Sequence, residues 1–233
     1  MSAQIPLSLR WPSWLRLEQF DVSGASQGTT AALEAAARDA QAPWMFVSGP
    51  AGSGKTHLLV AACHAAQTLG RRAQYVDVAD LGEPRAERLR ALGGSDLLAL
   101  DDVDALAGTP ADEHALFDLY NRCRAEGSVL LFAAAAPPAM LPLGLPDLRS
   151  RLAACTQGRL RPLDEGSRRA VLHARAAARG IELDEAVLDW LFAHQARDLG
   201  TLTGLLERID RATLAAQRRV TVPFLRQLLA GPR

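Results

Sequence analysis

Residues 49–56 read Gly-Pro-Ala-Gly-Ser-Gly-Lys-Thr and fit the spacing G-x-x-x-x-G-K-[ST] of loops that wrap around phosphate groups. Glycines let backbone N–H groups turn inward, the lysine places a compact positive charge on the phosphate oxygens, and the threonine hydroxyl can bind Mg²⁺. An apolar run before the loop and a helical pattern after it argue against the alternative, a chance glycine-rich turn. The motif predicts a site for ADP or ATP with Mg²⁺, formed by Gly49, Pro50, Ala51, Gly52, Ser53, Gly54, Lys55 and Thr56.

Lys55 is the only lysine among the 26 lysines and arginines of the chain. Arginine is planar and bulkier than lysine and does not replace it in a phosphate loop. Because the composition lacks lysine everywhere else, its presence at position 55 indicates a function for this side chain.

Two neighbouring aspartates, Asp101 and Asp102, follow the apolar run at 97–100. At the carboxyl end of a strand, one carboxylate can hold Mg²⁺ through water and its neighbour can orient an attacking water. We assign the role of holding Mg²⁺ to Asp101. Asp102 occupies the position where related ATPases usually have a catalytic acid. That acid is more often glutamate, whose longer side chain reaches the water more easily. The alternative is a helix-capping pair after a buried strand, and the functional interpretation depends on the phosphate loop that precedes it.

Polar groups that many phosphate-loop ATPases use for hydrolysis are missing at the expected positions. The strand after the aspartates ends in four alanines at 133–136, and alanine cannot donate a hydrogen bond from its side chain or polarise water. The candidate lid arginine, Arg197, stands about one helical turn too early. The chain therefore keeps the groups that bind nucleotide and lacks groups that act mainly in the transition state. This pattern favours holding nucleotide over hydrolysing it.

The bulk composition excludes several classes of function. With 26 acidic and 26 basic residues the formal net charge of the 233-residue chain is zero, whereas proteins that grip nucleic acid by its phosphates usually carry a basic excess. Cys63, Cys123 and Cys155 are isolated and odd in number, which argues against a zinc site or a disulfide framework and fits a reducing cytoplasm. We find no signal peptide and no apolar stretch of about 18 residues that could span a membrane.

Apolar runs alternate with helical patterns along the first two thirds of the chain. Strands are predicted at 44–47, 73–78, 96–102, 128–135 and near 154–160, and helices at 28–40, 55–69, 84–92 and 112–126. This alternation predicts an α/β fold in which helices cover both faces of a parallel sheet.

After residue 160 only helical patterns remain, at 165–179, 184–195, 198–217 and 223–230, with Gly180 as a C-cap and Asp184 as an N-cap. We therefore expect an extended arm at 1–20, a nucleotide-binding domain at 21–162 and a helical lid domain at 163–233.

Four stretches carry a resemblance to a known family: QIPLSL at 4–9, FDLYNR at 117–122, LGLPDLRSRL at 143–152 and LERIDRATLAAQRRVTVPFLRQLL at 206–229. Together with the phosphate loop they make the chain similar to AAA+ proteins related to the bacterial replication initiator DnaA. Within that family it most closely resembles the Hda-type regulatory inactivators of DnaA. The resemblance implies an AAA+ P-loop domain with a helical lid and bound ADP or ATP. Relatives keep polar residues where this chain has the alanines at 133–136, and an arginine where it has Gly200.

The resemblance also implies partners. Proteins of this type promote hydrolysis of the ATP that DnaA holds, which inactivates the initiator and so inhibits DNA replication. They act from the sliding clamp, the beta subunit of DNA polymerase III, so that DNA is reached only through the clamp. No DNA-reading domain is expected in this chain. AAA+ domains associate head to tail, so a homo-oligomer is a further expectation.

Three sites carry over from the family. Arg151 matches the arginine finger, a guanidinium inserted into a neighbour's ATP site, with Arg149 ranked second; a surface arginine is the alternative for both. Phe20 matches the adenine-side segment and is equally suited to the edge of the core. The clamp-binding motif is matched by Gln4, Ile5, Leu7 and Leu9, whose alternative is a tail that packs on its own domain.

The leading hypothesis is therefore a regulator of chromosome replication initiation whose chemistry is carried out in a partner's site. The alternative is an AAA+ ATPase in its own right, acting as a DnaA-like protein or a helicase loader. A third hypothesis is a clamp-tethered adaptor without a finger.

Overall fold

The computed structural model describes Leu17 and residues 27–162, 164–194, 199–216 and 220–229. Five parallel strands form one sheet: β1 (Met45–Ser48), β2 (Ala73–Asp77), β3 (Leu97–Asp101), β4 (Val129–Ala134) and β5 (Thr156–Arg159). Their order across the sheet is β2-β3-β4-β1-β5, which places β1 between β4 and β5. The expected α/β fold is confirmed, and all five predicted strands are present.

The central strands are buried on both faces, which explains why their sequences are apolar without alternation. Every residue of β1, β3 and β4 is buried. Alternate side chains serve the two faces, so Phe46 and Phe132 pack on one face with ring centroids 6.3 Å apart, while Met45 and Leu131 pack on the other. Truncating either phenylalanine to alanine would lower the free energy of unfolding by about 3–5 kcal/mol. The sheet is thus tightly packed, and it supports the loops that follow the carboxyl ends of its strands.

Five described helices cover this sheet: α1 (Gln27–Arg38), α2 (Lys55–Thr68), α3 (Arg85–Ala91), α4 (Pro110–Glu126) and α5 (Pro146–Ala153). Helices α1 and α2 pack on one face, and α3, α4 and α5 on the other. The sequence patterns do not predict α5. It has eight residues, begins with Pro146 and buries only Leu148 and Leu152, which are too few to produce a recognisable helical period.

The remaining described helices form a separate small core: α6 (Glu165–Ala177), α7 (Glu185–His194), α8 (Leu199–Ala216) and α9 (Val222–Leu229). The predicted caps are present. Asp184 accepts a 2.8 Å hydrogen bond from the backbone of Val187, and Gly180 takes φ 71° just after α6. None of the helices in the described ranges is long and apolar enough to cross a membrane.

Candidate nucleotide site

The phosphate loop joins β1 to α2, and its conformation explains why glycine is needed. Gly52 and Gly54 take φ values of 73° and 95°, in the left-handed region that favours glycine. A Cβ on Gly49 would lie 2.7 Å from Oγ of Ser53 and 2.9 Å from the carbonyl oxygen of Leu160. The loop is therefore closely packed against the residues around it, and a side chain at Gly49 would displace it.

Lys55 begins α2 and is only 8% exposed. Its Nζ donates hydrogen bonds to the carbonyl oxygens of Gly49, at 2.9 Å, and Pro50, at 3.3 Å. The positive end of the α2 dipole lies at the same place, and the first turn of α2 contains no acidic residue. The buried ammonium and the helix end both favour an anion at this loop.

Ser53 provides a direct test of whether a phosphate group fits the loop. Its hydroxyl is buried and has no hydrogen-bond partner in the described part of the chain. A buried polar group without a partner is rare in native proteins and marks a place where a ligand or water belongs. The residues of the loop thus fit a nucleotide phosphate.

Asp101, at the end of β3, is 1% exposed and held by three hydrogen bonds. Oδ2 accepts from Thr56 Oγ1 at 2.6 Å and from the Tyr75 hydroxyl at 3.0 Å, and Oδ1 accepts from the backbone N–H of Asp102 at 3.0 Å. The structure thus brings together Thr56 and Asp101, the two residues predicted for the metal side. Their oxygen atoms suit a hard cation such as Mg²⁺, with phosphate and water oxygens completing its coordination.

Tyr75 also belongs to this site, although no sequence motif predicts it. It lies on β2 two residues before Asp77, and Asp77 pairs with Asp101 across the sheet. Burial, and next the Asp101 charge, raise the pKa of the Tyr75 hydroxyl well above its ordinary value, so it acts as a hydrogen-bond donor. The strand register was the one signal that could have indicated this contact.

Asp102 leaves the sheet in a left-handed conformation, with φ 50° and ψ 44°. Among the described residues it is the only non-glycine with a positive φ, a conformation that aspartate tolerates better than most residues. Burial, then the charges of Asp101 and Asp77, raise the pKa of its carboxyl group. A partly exposed carboxylate with a raised pKa beside the metal side can accept a proton from an attacking water more readily than an ordinary aspartate.

The end of β4 lies directly beside the phosphate loop. The carbonyl oxygen of Ala134 accepts a 3.2 Å hydrogen bond from the backbone of Gly49, and the backbone N–H of Ala135 donates to Oδ1 of Asp104 at 3.4 Å. Ala134 is fully buried in the core and Ala135 is exposed, and both side chains are methyl groups that cannot form a hydrogen bond. Gly200 lies within α8, while Arg197 lies outside the described residues.

No sequence pattern predicts the contact between the lid and the helix that follows the phosphate loop. Nη2 of Arg175, on α6, lies 3.2 Å from Nδ1 of His57, two residues after Lys55 on α2. Burial, and next the neighbouring charge of Arg179, lower the pKa of Arg175 to about 10. The contact ties the first lid helix to the helix that carries the phosphate loop.

Arg151 lies at the opposite edge of the sheet from this loop. Arg151 occupies the last turn of α5, shortly before β5. Thr156, the first residue of β5, donates a backbone hydrogen bond to the carbonyl oxygen of Trp44, just before β1. The guanidinium carbon of Arg151 lies 5.5 Å from the ring centroid of Tyr120. The Tyr120 ring centroid lies 4.5 Å from that of Trp44. Because β1 runs from Trp44 toward the phosphate loop, Arg151 lies near the amino ends of the strands and the phosphate loop lies at their carboxyl ends.

The two arginines proposed for the finger differ in their surroundings. The Arg151 guanidinium also lies over the ring of Phe117, 5.7 Å from its centroid, and the residue is half-buried. Arg149 is exposed on the same helix. Phe20 and the predicted clamp-binding residues 4–9 lie outside the described residues.

Two family comparisons cover most of the chain. Residues 16–157 match the family described as the bacterial DnaA ATPase domain, which is more than half of the 233 residues. Residues 164–229 match the family described as Hda, lid domain.

Solved structures share the fold at low sequence identity. Domain III of the Thermotoga maritima replication initiation protein DnaA is 24% identical, with a TM-score of 0.75 over 94% of this chain and 96% of that one. A DNA replication initiation factor is 23% identical with a TM-score of 0.67, and the match covers 84% of this chain but only 64% of that one. The Thermotoga maritima RuvB Holliday junction branch migration motor is 18% identical, with a TM-score of 0.64 over 92% of this chain and 71% of that one.

Proposed function

The chain belongs to the family of bacterial DnaA ATPase domains, with a lid of the Hda type, and from this premise we propose that it is a negative regulator of chromosome replication initiation. It holds ADP or ATP with Mg²⁺ in its own phosphate loop. It acts in the cytoplasm on a second AAA+ protein, DnaA, and stimulates hydrolysis of the ATP that DnaA holds.

The observation that carries this proposal is the position of Arg151. The residue lies near the amino ends of the parallel strands, whereas the phosphate loop lies at their carboxyl ends. An arginine in this place lies at the far end of the strands from its own phosphate loop, so in this proposal it serves the site of a neighbouring molecule. In a neighbour's site its guanidinium would neutralise charge that develops on the transferred phosphoryl group, an effect worth about 10³- to 10⁵-fold in rate.

The chain's own site supports the same division of roles. The loop, Lys55, Thr56 and Asp101 supply binding, while the positions beside the phosphates at the end of β4 carry only methyl groups. When bound, Mg²⁺ neutralises phosphate charge. Thr56 and Asp101 would hold it, and Asp102 would orient a water beside it. Without a polar side chain where β4 ends, that water would be poorly fixed, and bound nucleotide would persist.

The sliding clamp is the second proposed partner. Gln4 can form paired hydrogen bonds in a peptide groove, and Ile5, Leu7 and Leu9 can fill apolar pockets beside it. Tethering on the clamp would raise the local concentration of Arg151 near a DnaA molecule on the same DNA. The neutral charge of the chain agrees with an indirect route to DNA.

The decisive experiment measures turnover of ATP bound to purified DnaA, with and without this protein, DNA and loaded clamp. We expect stimulation only when the clamp is loaded, and loss of that stimulation in Arg151→Ala with folding and nucleotide binding kept. Arg149→Ala is the matched comparison two residues earlier on α5, and we expect it to retain stimulation. Full stimulation by Arg151→Ala would refute the finger assignment, and turnover by this chain without DnaA would favour the ATPase alternative.

A further inference from the structure

The buried carboxylate of Glu113, on α4, accepts three backbone hydrogen bonds from two different loops. Oε1 accepts from Gly108 at 2.9 Å and from Gly144 at 3.1 Å, and Oε2 accepts from Leu145 at 2.7 Å. Burial alone would raise the pKa of this carboxyl group, but the three donors outweigh it and leave the pKa below its ordinary value. Glu113 is therefore ionised at neutral pH, with its charge satisfied by N–H groups.

Two of these donors stand directly before α5. Leu145 is the residue that precedes Pro146, the first residue of the helix, and its carbonyl oxygen accepts the first-turn hydrogen bond from Arg149 at 3.2 Å. Leucine has no side-chain oxygen with which to cap a helix. The direction in which the chain enters α5 is instead set by Glu113, 32 residues earlier in the sequence.

The other end of α5 rests on the same face of α4. Glu113, Phe117 and Tyr120 are spaced i, i+4 and i+7, so they lie on one face of that helix. The two rings lie under the guanidinium of Arg151. One face of α4 thus fixes the beginning of α5 through a carboxylate and its end through two aromatic rings.

We propose that Glu113 is a positioning residue for Arg151, acting through the amino end of α5. The inference rests on the proposed function, since positioning matters only if Arg151 acts in a partner's site. The segments 117–122 and 143–152 meet at this place, since the first supplies the rings and the second supplies two of the backbone donors and the arginine. A shift of α5 by about 1 Å at the guanidinium would be enough to lower a finger's effect up to about a hundredfold.

Glu113→Gln tests the inference, because an amide keeps the size of the side chain but replaces one acceptor oxygen with an N–H₂ donor. We expect the maximal stimulation of DnaA-bound ATP hydrolysis to fall roughly tenfold to a hundredfold. The concentration that gives half-maximal stimulation should stay nearly constant. Amide hydrogen exchange at Gly144, Leu145 and the first turn of α5 should speed up.

Asp112→Asn is the matched control. Asp112 neighbours Glu113 on α4 and is equally buried, but its side chain accepts its 3.1 Å hydrogen bond from Arg85, on α3, and not from the loop before α5. We expect this variant to lose stability without losing stimulation or changing exchange in α5. A loss of stimulation as large as that of Glu113→Gln would mean that any damage to α4 suffices and would overturn the inference.

A double variant separates positioning from general damage. In an Arg151→Lys background, which keeps the charge but loses the planar guanidinium, Glu113→Gln should cause a smaller loss than it causes in the original protein, because residues that act through one group are not additive. If Arg151→Ala alone stimulates fully, both the finger assignment and this inference are wrong. If Arg151→Ala is inactive while Glu113→Gln stimulates normally, only the positioning inference is wrong. Should Glu113→Gln not fold, Glu113→Asp, which keeps the charge and withdraws the oxygens, takes its place.

Discussion

The hydroxyl of Tyr75 donates a 3.0 Å hydrogen bond to Oδ2 of Asp101 across two neighbouring strands. The same oxygen accepts the 2.6 Å hydrogen bond from Thr56, so β2, β3 and α2 meet at one carboxylate atom. Because a carboxylate oxygen has about two acceptor positions, this oxygen is fully used, and the remaining capacity of Asp101 lies on Oδ1. Tyr75 thereby determines which oxygen of Asp101 would remain available to a metal-bound water if Mg²⁺ binds as proposed.

Tyr75→Phe should weaken the Mg²⁺-dependent part of nucleotide binding. The variant removes one donor, which frees the Asp101 carboxylate to rotate away from Thr56, and we expect affinity for ADP to fall up to about tenfold when Mg²⁺ is present. A titration with fluorescent ADP, with Mg²⁺ and again with EDTA, measures the effect. With EDTA the variant and the original protein should bind equally, and identical behaviour in Mg²⁺ would contradict the prediction.

Intrinsic ATP turnover should be far below about 1 s⁻¹. The end of β4 beside the phosphate loop carries only the methyl groups of Ala134 and Ala135, so no side chain there can orient water. Steady-state phosphate release from the purified protein gives the rate. Lys55→Ala, which removes the buried ammonium, measures contaminating activity, and turnover of 1 s⁻¹ or more that disappears in this variant would show the prediction to be wrong.

Asp102→Asn should stabilise the protein at neutral pH. The raised pKa means that the ionised form is disfavoured in the folded state, so the native aspartate lowers stability above its folded pKa and has no such effect below its ordinary pKa. Asparagine also tolerates the left-handed backbone. Because Asp102 is partly exposed, we expect a gain of no more than about 1 kcal/mol at pH 7.

Urea unfolding at pH 7 and near pH 4 would measure this gain, which should shrink at the lower pH as the native aspartate becomes protonated. Asp118→Asn is the control, since Asp118 is exposed on α4 and its 3.8 Å contact with Arg90 is worth little. A gain that is independent of pH would show that charge is not its cause.

Removing residues 1–9 should abolish association with the sliding clamp and leave the unfolding temperature unchanged. These residues contain the glutamine and the spaced aliphatic side chains of the proposed motif. Surface-immobilised clamp would report binding, and a variant with residues 4–9 in shuffled order would control for length and composition. If the shortened chain binds the clamp as well as the original chain does, residues 1–9 are not the clamp-binding segment.

Local patterns in the sequence were sufficient for the sheet and the phosphate loop. The strands that become β1, β3 and β4 are continuous apolar runs, and the loop has a spacing that few other structures share. Pairings across the fold were not predictable in this way. Tyr75 and Asp101 are 26 residues apart, and Glu113 and Leu145 are 32 apart, so no local period records either contact.

Helix α5 shows a second limit of sequence patterns. It is short, begins with Pro146 and buries two leucines, so its stability comes from contacts with α4 and not from a strong helical signal. Arg151 was identified through its family motif, but its resting place over Phe117 and Tyr120 follows only from how these two helices pack.

That resting place makes any finger activity an exchange of contacts. A guanidinium stacked over aromatic rings is stabilised by about 0.5–1 kcal/mol at exposed sites, and more when water is excluded. Insertion into a partner would first break these contacts. The free energy of insertion would therefore be the difference between binding of the guanidinium in the partner's phosphate site and its binding over the rings of its own chain. In a weak or misaligned encounter the arginine would stay over Phe117 and Tyr120. Only a correctly docked site that holds phosphate would bind the guanidinium strongly enough to move it into the partner. The stacked rings would thus act as a threshold that distinguishes brief collisions from productive complexes.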